Sequence, residues 1–197
     1  MKNRLPGTTA WILAAALLPA LAACSGGSVT AHVENGHGTV NVFLTDAPLD
    51  LAGVKSVNVT LTSVVLYPED STATGSLQDM ESTEPTPVVI VSHPATFDLL
   101  TLTGGAKALL GTDEVPAGGY ARIRLEVSDA QLVAPDGTVT SLQIDARKVD
   151  VPIHFTVRAD QTTGVVLDFD AAASVQVNGT GSGSFILRPV VTPQGTL

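Results

Sequence analysis

Apolar and polar side chains alternate with a period of two residues along much of this chain. Because successive side chains of a β-strand point to opposite faces, the alternation predicts strands with one buried and one wet face, which is typical of antiparallel sheets. Similar runs begin near Val40, Val57, Ile123, Val165, Val175 and Phe185. The clearest run places its apolar residues at Val149, Val151, Ile153, Phe155 and Val157.

Turn signals separate these runs and suggest how the strands connect. Pro135-Asp136-Gly137 predicts a hairpin, and Pro116-Ala117-Gly118-Gly119 predicts a turn before the strand that contains Ile123. The Gly-rich stretch 179–183 lacks the Lys of a phosphate loop and is interpreted as a hairpin loop. A helix, of a single turn, is suggested only for Ala106 to Leu110.

About nine or ten strands are expected from this pattern. So many half-buried strands are best buried by two sheets that pack face to face. The sequence therefore predicts an all-β fold, a two-sheet antiparallel β-sandwich of the immunoglobulin-like or transthyretin-like kind. No internal repeat is visible, which argues against a propeller or a solenoid.

The N-terminus has the pattern of an export signal. Met1 to Arg4 form a short positive region, and the apolar run from Trp11 to Leu21 is too short for a typical membrane-spanning helix. Leu21-Ala22-Ala23-Cys24 resembles the lipobox of bacterial lipoproteins, a resemblance which implies cleavage before Cys24, diacylation of its thiol and acylation of the new amine. The alternative is an ordinary secretory signal with a chance Cys, but Cys24 is the only Cys in the chain.

This resemblance implies anchoring of the mature chain in a membrane, since several acyl chains hold a protein stably. Ser25 follows the lipidated position, which resembles the outer-membrane class of lipoproteins rather than the inner-membrane class. The expected organisation is a signal peptide at 1–23, a flexible tether at 24–38, one β-sandwich domain at 39–192 with a long acidic loop at 68–87, and a tail at 193–197. His32 and His37 lie in the tether, where a solvated linker is preferred over a metal site.

The charge of the chain limits its partners. The formal net charge is −9, and removal of Lys2 and Arg4 leaves eight basic residues against 19 acidic ones. Phosphate contacts need Lys and Arg, so nucleic acid is not an expected partner.

A family resemblance rests on five stretches taken in order. They are Val42-Phe-Leu-Thr-Asp-Ala-Pro48, Val54-Lys-Ser-Val-Asn-Val-Thr-Leu61, Val115-Pro-Ala-Gly-Gly-Tyr120, Leu167-Asp-Phe-Asp170 and Leu187-Arg-Pro-Val190. In this order they resemble the domain-of-unknown-function 4382 family of prokaryotic exported proteins, over nearly the whole mature chain from about Gly38 to Val191. The resemblance implies a lipid-anchored or secreted β-sandwich, and it supplies no activity and no catalytic residues.

The residues offer few catalytic constellations. No nucleophile elbow, zinc-protease motif, phosphate loop or dinucleotide fingerprint is present in the sequence. His154 shares the polar face of its strand with Asp150 and Arg158 and is interpreted as a surface residue, and His93 before Pro94 as a turn residue. No catalytic residue is therefore assigned.

One metal hypothesis remains open. Asp46 and Asp50 bracket the loop after the first strand, and Asp168 and Asp170 lie on one face of a late strand. If these strands pair, the four carboxylates could converge on calcium, which prefers oxygen ligands. The alternative is that Asp46 stabilises a turn and that Asp168 and Asp170 are solvated.

These observations favour a non-enzymatic binding, adhesion or scaffolding role at the cell envelope. Contact with another envelope or surface protein is preferred over carbohydrate binding, because aromatic residues are only 4% of the chain. The alternatives are a hydrolase that uses paired carboxylates such as Asp168 and Asp170, or a calcium-dependent carbohydrate-binding module.

Overall fold

The computed structural model describes residues 36–46, 53–69, 86–177 and 185–197, which belong to one compact unit, Val33–Leu197. Within these residues the chain forms a 3-10 helix at Leu99–Leu102, a short helix α1 at Ala171–Ser174, and thirteen strands. The strands are β1 His37–Thr45, β2 Ser56–Pro68, β3 Val88–Val91, β4 Ala95–Asp98, β5 Ala108–Pro116, β6 Gly118–Val133, β7 Val139–Ser141, β8 Gln143–Ile144, β9 Lys148–Val157, β10 Thr162–Phe169, β11 Val175–Val177, β12 Phe185–Leu187 and β13 Val191–Thr196.

The first sheet has four strands in the order β13-β10-β1-β5. β1 and β10 occupy its centre and run parallel, with Thr39 opposite Thr162 and Thr45 opposite Asp168. β5 and β13 are antiparallel to their neighbours and lie at the two edges.

The second sheet has six strands, with β2 and β6 at its centre. β3 and β4 pair with different parts of β2, and β7 and β9 pair with different parts of β6, all of them antiparallel. A small third sheet is formed by β11, β12 and β8.

One hydrophobic core joins the two large sheets. β9 shows the alternation best, since every second residue from Val151 to Val157 is buried and the residues between them are exposed. β10 is buried over four consecutive residues, Gly164 to Leu167, as expected of a central strand that is covered on both faces. The largest fully buried side chains are Tyr120, Phe169, Leu44, Leu61, Leu66, Leu99, Ile123, Leu125, Leu167 and Leu187.

The predicted all-β sandwich is confirmed, with two differences in detail. The strands are more numerous than nine or ten, because strands of two to four residues such as β7 and β8 are too short to show a period. The central pairing of β1 with β10 is parallel, whereas the alternation had indicated antiparallel neighbours throughout.

The helix suggested for Ala106 to Leu110 was wrong. Gly104 and Gly105 both have positive φ and form a turn, after which β5 begins at Ala108 and pairs with β1. The hydrogen bonds and burial of a sheet edge therefore override the weak helical preference of five residues.

The two predicted turns are confirmed, and they have different roles. Asp136 and Gly137 connect β6 to β7 as a hairpin, in which the Asp136 carboxylate accepts a hydrogen bond from the Thr138 amide. The segment from Pro116 to Gly119 instead carries the chain from the first sheet to the second.

Tyr120 stabilises this crossing between the sheets. Its side chain is 1% exposed, its hydroxyl donates a hydrogen bond of 2.9 Å to the Pro116 carbonyl, and its ring stacks on Phe155 with centroids 5.3 Å apart. A tyrosine that bonds back to the backbone a few residues upstream is the arrangement of the tyrosine corner of immunoglobulin-like sandwiches.

Some of the expected segment boundaries can be compared with the structure, and others fall outside the described residues. β1 begins at His37, two residues before the expected domain start, and β13 contains most of the segment expected as a tail. The signal peptide, most of the tether and most of the acidic loop lie outside the described residues, as does the Gly-rich loop 179–183, whose flanking strands β11 and β12 pair antiparallel. In the described part of the chain, no helix has both the length and the apolar character needed to cross a membrane.

Candidate binding face

The outer face of the six-stranded sheet carries an ordered cluster of charged, aromatic and apolar side chains. Antiparallel registers place Tyr67 opposite Arg122, Val65 opposite Arg124, and Arg124 opposite Asp150. Residues directly opposite on antiparallel strands project to the same face, so these five side chains share one surface. We call this surface, formed by Val65, Tyr67, Arg122, Arg124 and Asp150, the arginine face.

Arg124 and Asp150 form the best-aligned ion pair of the arginine face. The Arg124 Nε and Nη2 atoms donate to the two Asp150 oxygens at 2.7 and 2.8 Å, which is the bidentate geometry that Arg makes with a carboxylate. The hydrogen bond from Arg124 holds the pKa of the Asp150 carboxyl below its usual range. The same hydrogen bond raises the pKa of the Arg124 guanidinium, so both groups stay charged at neutral pH.

Arg122 is held differently, by an aromatic ring. Its guanidinium carbon lies 3.8 Å from the centroid of the Tyr67 ring, and the guanidinium of Arg124 lies 5.1 Å from the same centroid. Such cation–π contacts contribute about 0.5–1 kcal/mol at exposed sites. Among the described residues, the nearest carboxylate contact of Arg122 joins its Nη1 to an Asp150 oxygen at 3.5 Å.

One ion pair and one Glu–His hydrogen bond lie beside the arginine face. Glu126 contacts Lys148 at 3.3 Å, and the Glu69 Oε1 atom lies 2.8 Å from the Nδ1 of His154. Glu69 reaches His154 across Gly119, where a Cβ atom would overlap the Glu69 carboxylate. The absence of a side chain at Gly119 therefore makes room for this pair.

An exposed apolar residue lies next to the arginine face, on the side of β3. Val89 of β3 lies opposite Val65 and is 50% exposed. The surface thus combines Val, Tyr and Arg at its centre with charged and polar pairs around it. Of these residues, Tyr and Arg are typical of the parts of protein surfaces that contribute most to binding.

His154 lies on the exposed side of β9, as the sequence indicated. Within the described part of the chain, the residues predicted to share its polar face, Asp150 and Arg158, form no hydrogen bond or ion pair with it, and its partner is Glu69. Sequence reasoning did not find the arginine face, since it depends on the register between β2 and β6. The signal was present in the alternation of Arg122 and Arg124 on the wet side of a strand.

Asp46 has a structural role that spans the domain. Its side chain is 3% exposed, and its Oδ1 atom accepts a hydrogen bond of 2.9 Å from the amide of Ala171 at the start of α1. Its own amide donates to the Leu102 carbonyl, and the neighbouring Thr45 hydroxyl donates to the Leu102 and Ala106 carbonyls. This part of the Leu-Thr-Asp stretch therefore ties the end of β1 to two distant segments.

Asp168 and Asp170 have separate partners. The Asp168 Oδ2 atom accepts a hydrogen bond of 2.8 Å from the Gln194 side chain on β13. Asp170 follows β10 and caps α1 by accepting from the Ala173 amide. A cavity of about 300 Å³ beside them includes Gln194 in its lining, but neither aspartate.

The calcium hypothesis stays a prediction. The first and late strands pair as it required, with Thr45 opposite Asp168, but Asp50 lies outside the described residues. Among the residues that the structure describes, no group of three or more His, Cys, Asp or Glu side chains is placed to hold a metal ion. The hydrolase alternative also stays a prediction.

Comparison with known proteins gives one family match. The sequence model of the family described as Domain of unknown function (DUF4382) matches residues 37–189, from the first residue of β1 to just beyond β12. No curated protein and no solved structure matches the chain significantly.

Proposed function

The chain belongs to the DUF4382 family, and from that premise we propose that it is a lipid-anchored protein of the cell envelope whose sandwich binds another protein without catalysing a reaction. The anchor would be Cys24, at the end of the lipobox-like Leu21-Ala22-Ala23-Cys24 stretch. Ser25 favours the outer membrane over the inner one.

The arginine face is the observation that supports a binding role. Tyr and Arg are enriched among the residues that dominate the energy of protein interfaces, and here they lie together on an exposed sheet surface. Their positions are fixed before any partner arrives, because Arg124 is bidentate to Asp150 and Arg122 is stacked on Tyr67. A preorganised surface loses less side-chain entropy when it binds.

The anchor is tested by changing Cys24 to Ala in the full chain. The wild-type protein should incorporate radioactive palmitate and remain with the membrane fraction, and the Cys24→Ala variant should do neither. Palmitate incorporation by the variant would contradict lipidation at Cys24.

The binding role is tested by photocrosslinking in intact cells. A photoreactive residue at Val65 should form one defined protein adduct, whereas the same residue at Asn41, on the outer face of the other sheet, should not. The captured protein is then purified and its affinity for the chain is measured directly. The proposal fails if both positions capture the same set of proteins, or if the purified protein does not bind.

A further inference from the structure

We infer that Arg122 is the anchoring residue of the arginine face and that it binds a carboxylate of an acidic peptide segment in the partner protein. This inference rests on the proposed function and names the chemistry of the partner. It depends on three features of the described residues: the unused donors of Arg122, the ring beneath it, and the distribution of positive charge.

The donors of Arg122 are available for a ligand. Among the described residues, the guanidinium of Arg122 makes no hydrogen bond, and its only carboxylate contact is the 3.5 Å approach to Asp150. Asp150 already accepts two hydrogen bonds from Arg124, so its charge is shared by two guanidinium groups. The three side chains together carry one excess positive charge, beside a fork of N–H donors that suits a carboxylate.

The Tyr67 ring fixes the orientation of this fork. A guanidinium that is stacked 3.8 Å from an aromatic centroid has lost much of its rotational freedom before binding. The same stacking argues against a sugar as the ligand, because Arg122 lies over the ring where a stacked sugar would have to lie.

The location of positive charge on the molecule favours an acidic partner. The domain is strongly acidic, yet β6 and the start of β9 place Arg122, Arg124 and Lys148 on one sheet surface, where they balance the carboxylates of Asp150, Glu126 and Glu69. An acidic segment is repelled less here than by the rest of an acidic surface, and the free donors of Arg122 give it a local point of attraction. Val65 and the exposed Val89 lie next to the arginines and suit the aliphatic side chains of a peptide more than the polar surface of a carbohydrate.

The experiment measures peptide binding by the full chain, purified in mild detergent at low salt. The probe is a fluorescent octapeptide with three Glu residues among Val and Ser, and the control peptide has Gln in place of Glu. We expect the Glu peptide to bind at least tenfold more tightly than the Gln peptide, with an affinity that falls as salt is raised.

The variants identify the residue responsible. Arg122→Gln should weaken binding of the Glu peptide at least tenfold, and Arg158→Gln, the same charge change beyond the end of β9, should leave it within twofold. Tyr67→Ala should weaken binding several-fold, whereas Tyr67→Phe should bind the Glu peptide as the wild type does, because the ring is kept. Unfolding midpoints of all variants are measured to confirm that each one folds.

Three results would overturn the inference: equal binding of the two peptides, equal loss in Arg122→Gln and Arg158→Gln, or binding of polygalacturonate in place of the Glu peptide. The crosslinking experiment at Val65 separates this failure from failure of the proposed function. A verified partner captured at Val65, together with no effect of Arg122→Gln on its affinity, leaves the binding role standing and removes only the carboxylate assignment.

Discussion

Replacement of Tyr120 by Phe tests how the chain is held where it crosses between the sheets. The change removes one hydroxyl and keeps the ring that stacks on Phe155. The lost hydrogen bond to the Pro116 carbonyl is worth about 0.5–1.5 kcal/mol, and because this bond is part-buried, incomplete solvation of the unpaired acceptor adds to the cost. We expect the free energy of unfolding to fall by about 1–2 kcal/mol.

Urea unfolding followed by circular dichroism measures this loss, and the chain offers a matched control. Tyr67 is the other tyrosine, and its hydroxyl makes no hydrogen bond among the described residues, so Tyr67→Phe should change stability by less than about 0.5 kcal/mol. In thermal unfolding the Tyr120 variant should melt roughly 2–8 °C below the wild type, which follows from about 2–4 °C per kcal/mol for a domain of this size.

Alkaline pH provides a second measurement of the same side chain. Burial raises the pKa of the Tyr120 phenol above its usual value of 10.0. The unfolded chain therefore loses this proton first, and the stability that Tyr120 contributes is complete below about pH 10 and declines as pH rises further. The Tyr120→Phe variant should lack this part of the alkaline decline. Equal stabilities of the two Tyr→Phe variants, or identical alkaline profiles for Tyr120→Phe and wild type, would refute the reasoning.

Three other changes probe the domain. Asp46→Ala removes the buried acceptor of the Ala171 amide and should cost about 1.5–3 kcal/mol in urea unfolding. Gly137→Ala should cost about 1–2 kcal/mol in the same assay, because φ is +88° there while the space around it is open. Asp150→Asn should cost less than about 1 kcal/mol, since Asp150 is 42% exposed. Because the pKa of Asp150 is lowered in the fold, the difference between this variant and wild type should be present above about pH 4 and disappear as pH falls below it.

The alternation of side chains was enough to predict the class of the fold, because burial of one strand face is a local property of sequence. It located β9 almost to the residue and predicted the hairpin at Gly137. It could not predict that β1 lies parallel to β10, since pairing between strands so far apart depends on the whole arrangement of the chain. The helix suggested near Ala106 failed for the same reason, because β1 determines the structure of that segment.

The candidate site was less predictable than the fold. Arg122, Arg124 and Asp150 could each be placed on the wet side of a strand, but their contacts depend on a register that contains several bulges. The role of Asp46 was also not predictable from nearby residues. Its sequence context suggested a local turn, whereas its carboxylate accepts a hydrogen bond from a residue 125 positions away.

The parallel pairing at the centre of the four-stranded sheet also determines the order in which the domain can fold. During synthesis β1 is made first, and until β10 follows it can pair only with β5 in this sheet. The other edge of β1, with the apolar side chains of Val40, Val42 and Leu44 beside it, stays unpaired until β10 is made, roughly 120 residues later in the chain. Such long-range closure is slow, and an open edge of this kind can pair with other chains in the meantime. The centre of this sheet is therefore closed only once the segment up to Phe169 is present.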